Sequence, residues 1–222
     1  MGRPREHNEQ TGESLLDAAE DLLRAGGPDA VSVRAVADAA GTSTRAVYSV
    51  FGSKEGMLHH LARRGYRYLA DLVDTLPVTD DPAADLVRLG IHGFRRFALE
   101  RPHLFRLTFE QVTPDMREDD VVLKAQRLAY DGLTLYLERA QTAGLIDEDV
   151  IHEAAFQFHA VCYGLASNEL LNEPPPIGSS FWQVLHDFDG PGMWRSTIGA
   201  LIAGWRHRNA GDTLETVDPM PS

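Results

Sequence analysis

Two very short helical patterns flank Gly41, and what such a pair can fold into is narrow. Ser32 precedes Val33, Val36, Ala37 and Ala40, while Ser43 precedes Ala46, Val47 and Val50, with Phe51 and then Gly52-Ser53 closing the second run. A serine before an apolar repeat at helical spacing is an N-terminal cap, because its side-chain oxygen accepts a backbone N–H that the first turn leaves unpaired. Glycine between the two runs permits the tight change of direction that a residue with a Cβ resists. Helices this short do not stand alone in water, so they need a partner. Leu15, Ala18, Ala19, Leu22 and Leu23 supply it as one apolar stripe over about 14–25, ended by Gly26-Gly27-Pro28. Three small helices sharing one core, the second bracing and the third presenting short polar side chains, meet the requirement for a reader of the DNA major groove. The same spacing also suits an ordinary small helical hairpin.

Charge decides less than it first suggests. The 222 residues carry a formal net charge of −12, which argues against a nucleic-acid partner. The acidity is uneven, however: residues 1–68 hold nine Arg or Lys and nine Asp or Glu, so the whole excess lies beyond them. A neutral head on an acidic body still binds phosphates where a few cations cluster. The 43% hydrophobic content supports a sizeable core. No apolar run approaches a membrane span, and the first residues lack the apolar stretch of a secretory signal, so no membrane partner and a cytoplasmic location are expected. The single cysteine, Cys162, agrees with a reducing compartment.

Beyond the head, every pattern is helical and no strand-length alternation competes. A longer helix is expected from Lys54 through Met57, Leu58, Leu61, Leu69, Leu72 and Leu76 towards Pro77. Another starts at Asp80-Asp81-Pro82 and runs through Leu86, Leu89, Phe94 and Phe97, and Arg101-Pro102 restarts the chain to Phe109. Long patterns follow over 121–143, closed by Gly144, and over about 150–171, closed by Asn172 and prolines 174–176. The stretch 173–192 reads as a long loop with a helical turn at 181–185, where Trp182 covers either a pocket or a dimer surface. Residues 193–206 form the last helix. No repeat of fixed period appears. The fold class expected is all-α: an N-terminal three-helix DNA-binding domain and a larger helical domain for ligand binding and dimerisation. The boundaries are 1–56 for the arm and head with the motif at 32–51, 57–208 for the second domain, and 209–222 for a disordered tail.

The residues of 32–51 and the Gly-Ser-Lys-Glu that follows resemble the DNA-binding signature of the TetR/AcrR regulators. The resemblance implies that Arg34, Thr44 and Arg45 read bases, with Ser32, Thr42, Ser43, Tyr48 and Lys54 near phosphates. Side-chain chemistry agrees: arginine donates a bidentate pair to guanine, and hydroxyls and helix N-termini suit phosphate or base edges. Two positions depart from the family's pattern. Thr42 replaces a usual valine in the turn, and Arg45 stands where a small residue is common, so Arg45 is either the determinant of operator preference or a solvated charge. The tail Gly2-Arg3-Pro4-Arg5 resembles arms that place Arg3 and Arg5 in the minor groove, although a short basic terminus is also commonly disordered.

For the body, the resemblance implies that the last two long helices pair with their counterparts in a homodimer, which reads a palindromic double-stranded operator. Residues 101–109 and Phe158-His159-Ala-Val-Cys-Tyr163-Gly164 also resemble the subgroup named for Trp, His and Gly, of which only the glycine is kept, with His159 and Tyr163 at the aromatic positions. A pocket for an unidentified small-molecule effector is expected among Phe97, Phe105, Phe109, Met116, Tyr130, Leu133, Leu137, His159, Cys162 and Tyr163, apolar with few polar groups. Each of these also fits plain core packing.

The implied function is a regulator, expected to repress, that ligand binding releases from its operator. The alternatives are an architectural or recruiting factor without effector and a helical carrier or enzyme. No nucleophile elbow, phosphate loop or paired carboxylates are present, so no catalytic residue and no cofactor are assigned. His59-His60 are adjacent and the other histidines scattered, so no metal site is assigned either.

Overall fold

The computed structural model describes residues 3–111, 113–147, 150–170 and 189–209, with side chains from 11 to 206 among them. The expected loop at 173–188, Trp182, prolines 174–176 and the tail from 210 lie outside the described residues. The described elements are helical: α1 (Arg3–Ala30), α2 (Val33–Ala39), α3 (Thr44–Phe51), α4 (Lys54–Asp74), α5 (Pro82–Leu89), a π-helical stretch (Gly90–Arg95), α6 (Arg96–Glu100), α7 (Pro102–Phe109), α8 (Pro114–Glu118), α9 (Asp120–Thr142), α10 (Ile151–Glu169) and α11 (Gly190–Asn209). Among the described residues there is no strand, and the all-α class stands.

Contacts divide the chain into two compact units. One holds the described residues up to Thr75 with Arg96–Gly132, the other Leu76–Arg95 with the described residues from Leu133 onward. In the first, α1, α2 and α3 bury Leu15, Leu16, Ala19, Leu23, Val36, Ala37, Val47 and Phe51 together with Met57 and Leu61 of α4. α4 continues past the head with Gly65, Tyr66, Leu69 and Ala70 on its buried face, and α7 lies along it. The approach is close at Gly65, where a Cβ would stand 2.0 Å from Thr108 Oγ1 and 3.3 Å from Phe97 Cζ. In the second unit, α5, the π-helical stretch, α10 and α11 pack on one another, burying Leu86, Leu89, Phe94, Phe158, Cys162, Trp194 and Ile198.

Several boundaries differ from the sequence reading, each for a local reason. α1 begins at Arg3 rather than near 14, because its first turns are polar and carry no apolar stripe to reveal them; Gly26 and Gly27 still break it, with Gly27 at φ 68. The continuous helix expected from Pro82 to Phe97 is interrupted by the π-helical turn, which rephases the side chains after Leu89. Its start is as expected, with Asp81 accepting from Ala83 and Ala84 N–H at 3.1 and 3.0 Å and Pro82 in the first turn. α11 starts three residues early. Pro191, read as loop, sits in the first turn, and Asp189 Oδ2 accepts from Gly192 N–H at 3.1 Å. The Gly52-Ser53 break is itself a cap, since Ser53 Oγ accepts from Gly56 N–H at 3.0 Å.

Asp85 is fully buried and organises the second unit. It accepts from Thr79 N–H at 2.9 Å, Thr79 Oγ1 at 2.8 Å, Arg139 Nη1 at 2.6 Å and Arg88. Burial alone would raise its pKa, but Arg139, Thr79 and Arg88 outweigh it and hold the carboxyl at about 2, against an ordinary 3.8. A folded-state pKa below the unfolded one contributes stability above pH 3.8 that fades as pH falls towards about 2. Asp85→Asn should therefore lower Tm at neutral pH, with a loss of about 3 kcal/mol by denaturant titration. Its deficit relative to wild type should shrink between about pH 4 and 2; a deficit independent of pH would show that the charge is not what stabilises.

Candidate nucleic-acid interface

The recognition element is built from two capped helices and a glycine turn. Ser32 Oγ accepts from Ala35 N–H at 3.2 Å and Ser43 Oγ from Ala46 N–H at 3.3 Å. Gly41 between them has φ 63, the left-handed conformation that favours glycine. Only Val47 and Phe51 of α3 are fully buried, with Ala46 and Val50 half-buried, so the face carrying Thr44, Arg45, Tyr48 and Ser49 is left to solvent.

Each proposed DNA-contacting residue has a definite place. Thr42, Ser43, Thr44 and Arg45 are exposed, and Tyr48 is 55% exposed, unusual for so large a ring. Its ring therefore contributes little to the core, which separates it from Val47 beside it. Ser32 is half-buried and its oxygen already accepts the cap bond, leaving its O–H as the group free to donate. Arg34 lies on α2, with Nε 3.9 Å from Asp38 Oδ2 and both side chains largely exposed, an attraction too weak to withhold it from a phosphate. Lys54 is half-buried at the first position of α4. Arg3 and Arg5 belong to the helical first turns of α1 rather than to an extended arm, and their side chains lie outside the described residues.

The candidate effector residues fall in both units. In the first, Phe97 meets Phe105 at 5.6 Å and Phe109 at 6.2 Å between ring centroids, and Phe105 meets Phe109 at 5.0 Å. Tyr66 adds an edge contact to Phe109 at 5.8 Å, and Met116 is buried. These rings meet edge-on or tilted. Polar groups among them are few: Tyr66 O–H donates to the Thr108 carbonyl at 3.2 Å, and Thr108 Oγ1 is buried with no partner among the described residues. Tyr130 is 40% exposed, next to Ala129, which packs half-buried against Val122 and Ala125. In the second unit, Leu133, Leu137 and Cys162 are buried. His159 stacks with Tyr163 at an interplanar angle of 5° and meets Phe94 at 5.9 Å. Burial pushes the His159 pKa down and that of the Cys162 thiol well up, so Cys162 is poorly suited to redox sensing.

The sequence reading missed the polar junction of the first unit. Arg64 of α4 reaches Glu13, Asp17 and Glu20 of α1, and Glu20 also meets Arg101 and His103. Its signal was present as three acids on one face of α1, but their partners lie far along the chain. His59 Nδ1 likewise stands 3.1 Å from Asp119 Oδ2, while Asp119 Oδ1 caps α9 through Val121 and Val122 N–H at 2.9 and 3.0 Å.

A capped two-helix reader with an exposed polar face, on an all-helical chain, defines a helix-turn-helix transcriptional regulator. The chain belongs to the tetR family: residues 15–61 match the model of bacterial regulatory proteins of that family, and residues 87–186 match a tetracyclin repressor-like C-terminal domain. It is 37% identical over 90 residues to the HTH-type transcriptional regulator AlkX of Mycobacterium tuberculosis, covering 40% of this chain and 41% of that protein. It is 24% identical over 218 residues to the HTH-type transcriptional regulator Rv1816 of the same species, covering 90% and 83%. Among solved structures, a protein of unknown function from Rhodococcus sp. RHA1 superposes with a TM-score of 0.72 at 22% identity, covering 88% of this chain and 95% of that one. PfmR of Thermus thermophilus, a TetR family regulator, gives 0.59 at 20% identity, covering 85% and 97%. The family is one of regulators rather than enzymes. Among the described residues no helix is long and apolar enough to cross a membrane.

The buried thiol makes a simple check on this packing. Cys162 should react with a thiol-specific disulfide reagent at least about a hundredfold faster in denaturant than in native buffer. Equal rates would place it at the surface.

Proposed function

We propose that the protein is a cytoplasmic repressor that binds a palindromic operator as a homodimer and leaves it when a small, largely apolar effector binds. The observation that carries the DNA-binding half is the exposure of Thr44, Arg45 and Tyr48 on a helix whose opposite face is fixed in the core. Arg34, Thr44 and Arg45 read base edges, and Ser32, Thr42, Ser43, Tyr48 and Lys54 hold phosphates. Arg3 and Arg5 add backbone or minor-groove contacts from the start of α1. Since the first 68 residues are electrically neutral, recognition rests on these side chains more than on bulk charge.

Dimerisation supplies the second recognition helix about 34 Å away, one turn of the duplex. The proposed interface is the outer face of α10 and α11. Phe156 is 73% exposed on α10, with Ala160 exposed one turn on, and Gly199, Ala200, Ala203 and Gly204 are exposed on α11. A large ring opposite small residues is the complementarity that lets two helices approach. The effector is proposed to enter at Phe97, Phe105, Phe109 and Met116, where Thr108 Oγ1 awaits a partner. Because those rings are closely packed, it must displace them, and a shift of α4 then misaligns the two recognition helices. Leu133, Leu137, His159, Cys162 and Tyr163 are the corresponding candidates in the other unit.

Selection from random DNA should return a palindrome, and gel shifts on it should show losses of about tenfold or more for Arg45→Ala and Tyr48→Ala. Wild-type protein that selects no sequence would overturn the proposal. Light scattering should give twice the 24.5 kDa chain mass, and Phe156→Asp should yield a folded monomer that loses the palindrome. A Phe156→Asp dimer would move the interface elsewhere.

A further inference from the structure

The acidic face of α1 forms an ion-pair junction with α4 and the start of α7. Arg64 Nη1 donates to Asp17 Oδ1 at 2.7 Å and Glu20 Oε2 at 2.9 Å, and its Nη2 donates to Glu13 Oε2 at 2.7 Å. Glu20 is the shared member. Its carboxylate also accepts from Arg101 Nη1 at 3.1 and 3.3 Å, and His103 Nε2 stands 3.2 Å away. Arg101 and His103 open α7, and the Arg101 guanidinium covers the Tyr68 ring of α4 at 4.5 Å.

Three features separate this junction from an ordinary surface ion pair. The Glu20 side chain is 13% exposed, Arg64 17% and His103 12%, so solvent screens the charges little. One carboxylate satisfies donors from two other helices; without it Arg64 keeps Asp17 and Glu13, but Arg101 and His103 lose the carboxylate that joins them to α1. The His103 Nδ1 is buried with no partner among the described residues, so Glu20 is the group that orients the ring. Asp17 differs: at 69% exposed, its carboxylate meets Arg64 and neither Arg101 nor His103. Farther along α7, Phe105 and Phe109 pack in the aromatic core under α4, so the helix that meets Glu20 is also locked to the rest of its unit.

We propose that Glu20 is a positioning residue for DNA recognition: by clamping α1 to the first turn of α7 and to Arg64, it holds the three-helix head in the pose that presents α3. Glu20 is turned into the α1–α4–α7 junction and acts through Arg101 and His103, not by touching bases. A head fixed beforehand loses less freedom when it binds. The inference rests on DNA binding by the helix-turn-helix and needs no effector.

Its sign can be told from general electrostatics. Neutralising an acid on a DNA-binding head removes repulsion and should tighten binding, whereas loss of the clamp weakens it. The test uses the full chain and the palindrome selected by wild type, with Kd measured well below the Tm of each variant. E20Q and H103Q should each bind about tenfold more weakly, and the double variant no more weakly than E20Q alone, as expected of one shared contact. D17N should match wild type or bind slightly more tightly. Wild-type affinity in folded E20Q, even with a lowered Tm, overturns the proposal, as does an equal loss in D17N. If E20Q does not fold, H103Q decides by the same criterion. Failure of wild type to bind any DNA would instead overturn the recognition reading, and this inference with it.

Discussion

Helices of seven and eight residues cannot hold themselves together, and the organisation of the first unit follows from that. α2 and α3 are shorter than an isolated helix needs to be in water, so they exist by burying Val36, Ala37, Val47 and Phe51 against α1 and the start of α4. This burial has a functional consequence. Once one face of α3 is committed to the core, the opposite face must be polar and exposed, and that face carries Thr44, Arg45 and Tyr48. Serine caps at both helix starts and Gly41 between them set the angle without drawing on any long side chain. Thr44, Arg45 and Tyr48 are thus spared structural duty, while Ser32 and Ser43 cap their helices.

α4 extends the same constraint beyond the head. Its first turns close the three-helix core with Met57 and Leu61, and its later turns receive α7 at Gly65. No stretch of polar linker intervenes between Met57 and Ala70, and the unit defined by contacts accordingly includes α6, α7, α8 and the first part of α9 as well as the head. α7 therefore packs within the same unit as α3.

Buried or half-buried polar groups do the work that apolar packing cannot do, since apolar contacts tolerate sliding and hydrogen bonds do not. Asp85 joins Thr79, Arg88 and Arg139 at the base of α5. Arg95 grips Glu169 through Nε at 3.0 Å and Nη2 at 2.7 Å, and Trp194 Nε1 donates to the same carboxylate at 3.1 Å. These clusters join residues tens of positions apart, each with one carboxylate shared by several donors. Glu20 follows the same design in the other unit.

What could be read from the chain alone follows from local physics. Periodicity, serine caps, Gly41 and the prolines at 82 and 102 are nearest-neighbour signals, and they marked α2, α3, α5, α7, the long α9 and α10, and the exposed polar face of α3. The polar start of α1 and the Pro191 turn of α11 escaped because neither has an apolar stripe. The π-helical turn escaped because periodicity assumes one helical pitch. By itself, then, the sequence determined an all-helical regulator with a helix-turn-helix head, because capping and turn chemistry act over three or four residues. Only the tertiary structure decided which charges meet: that Glu20 serves Arg64, Arg101 and His103, that Asp85 is buried among arginines, and that Phe97, Phe105 and Phe109 close on one another. Those contacts span up to some eighty positions, and a charge or an aromatic ring carries no local mark of the distant partner that will satisfy it.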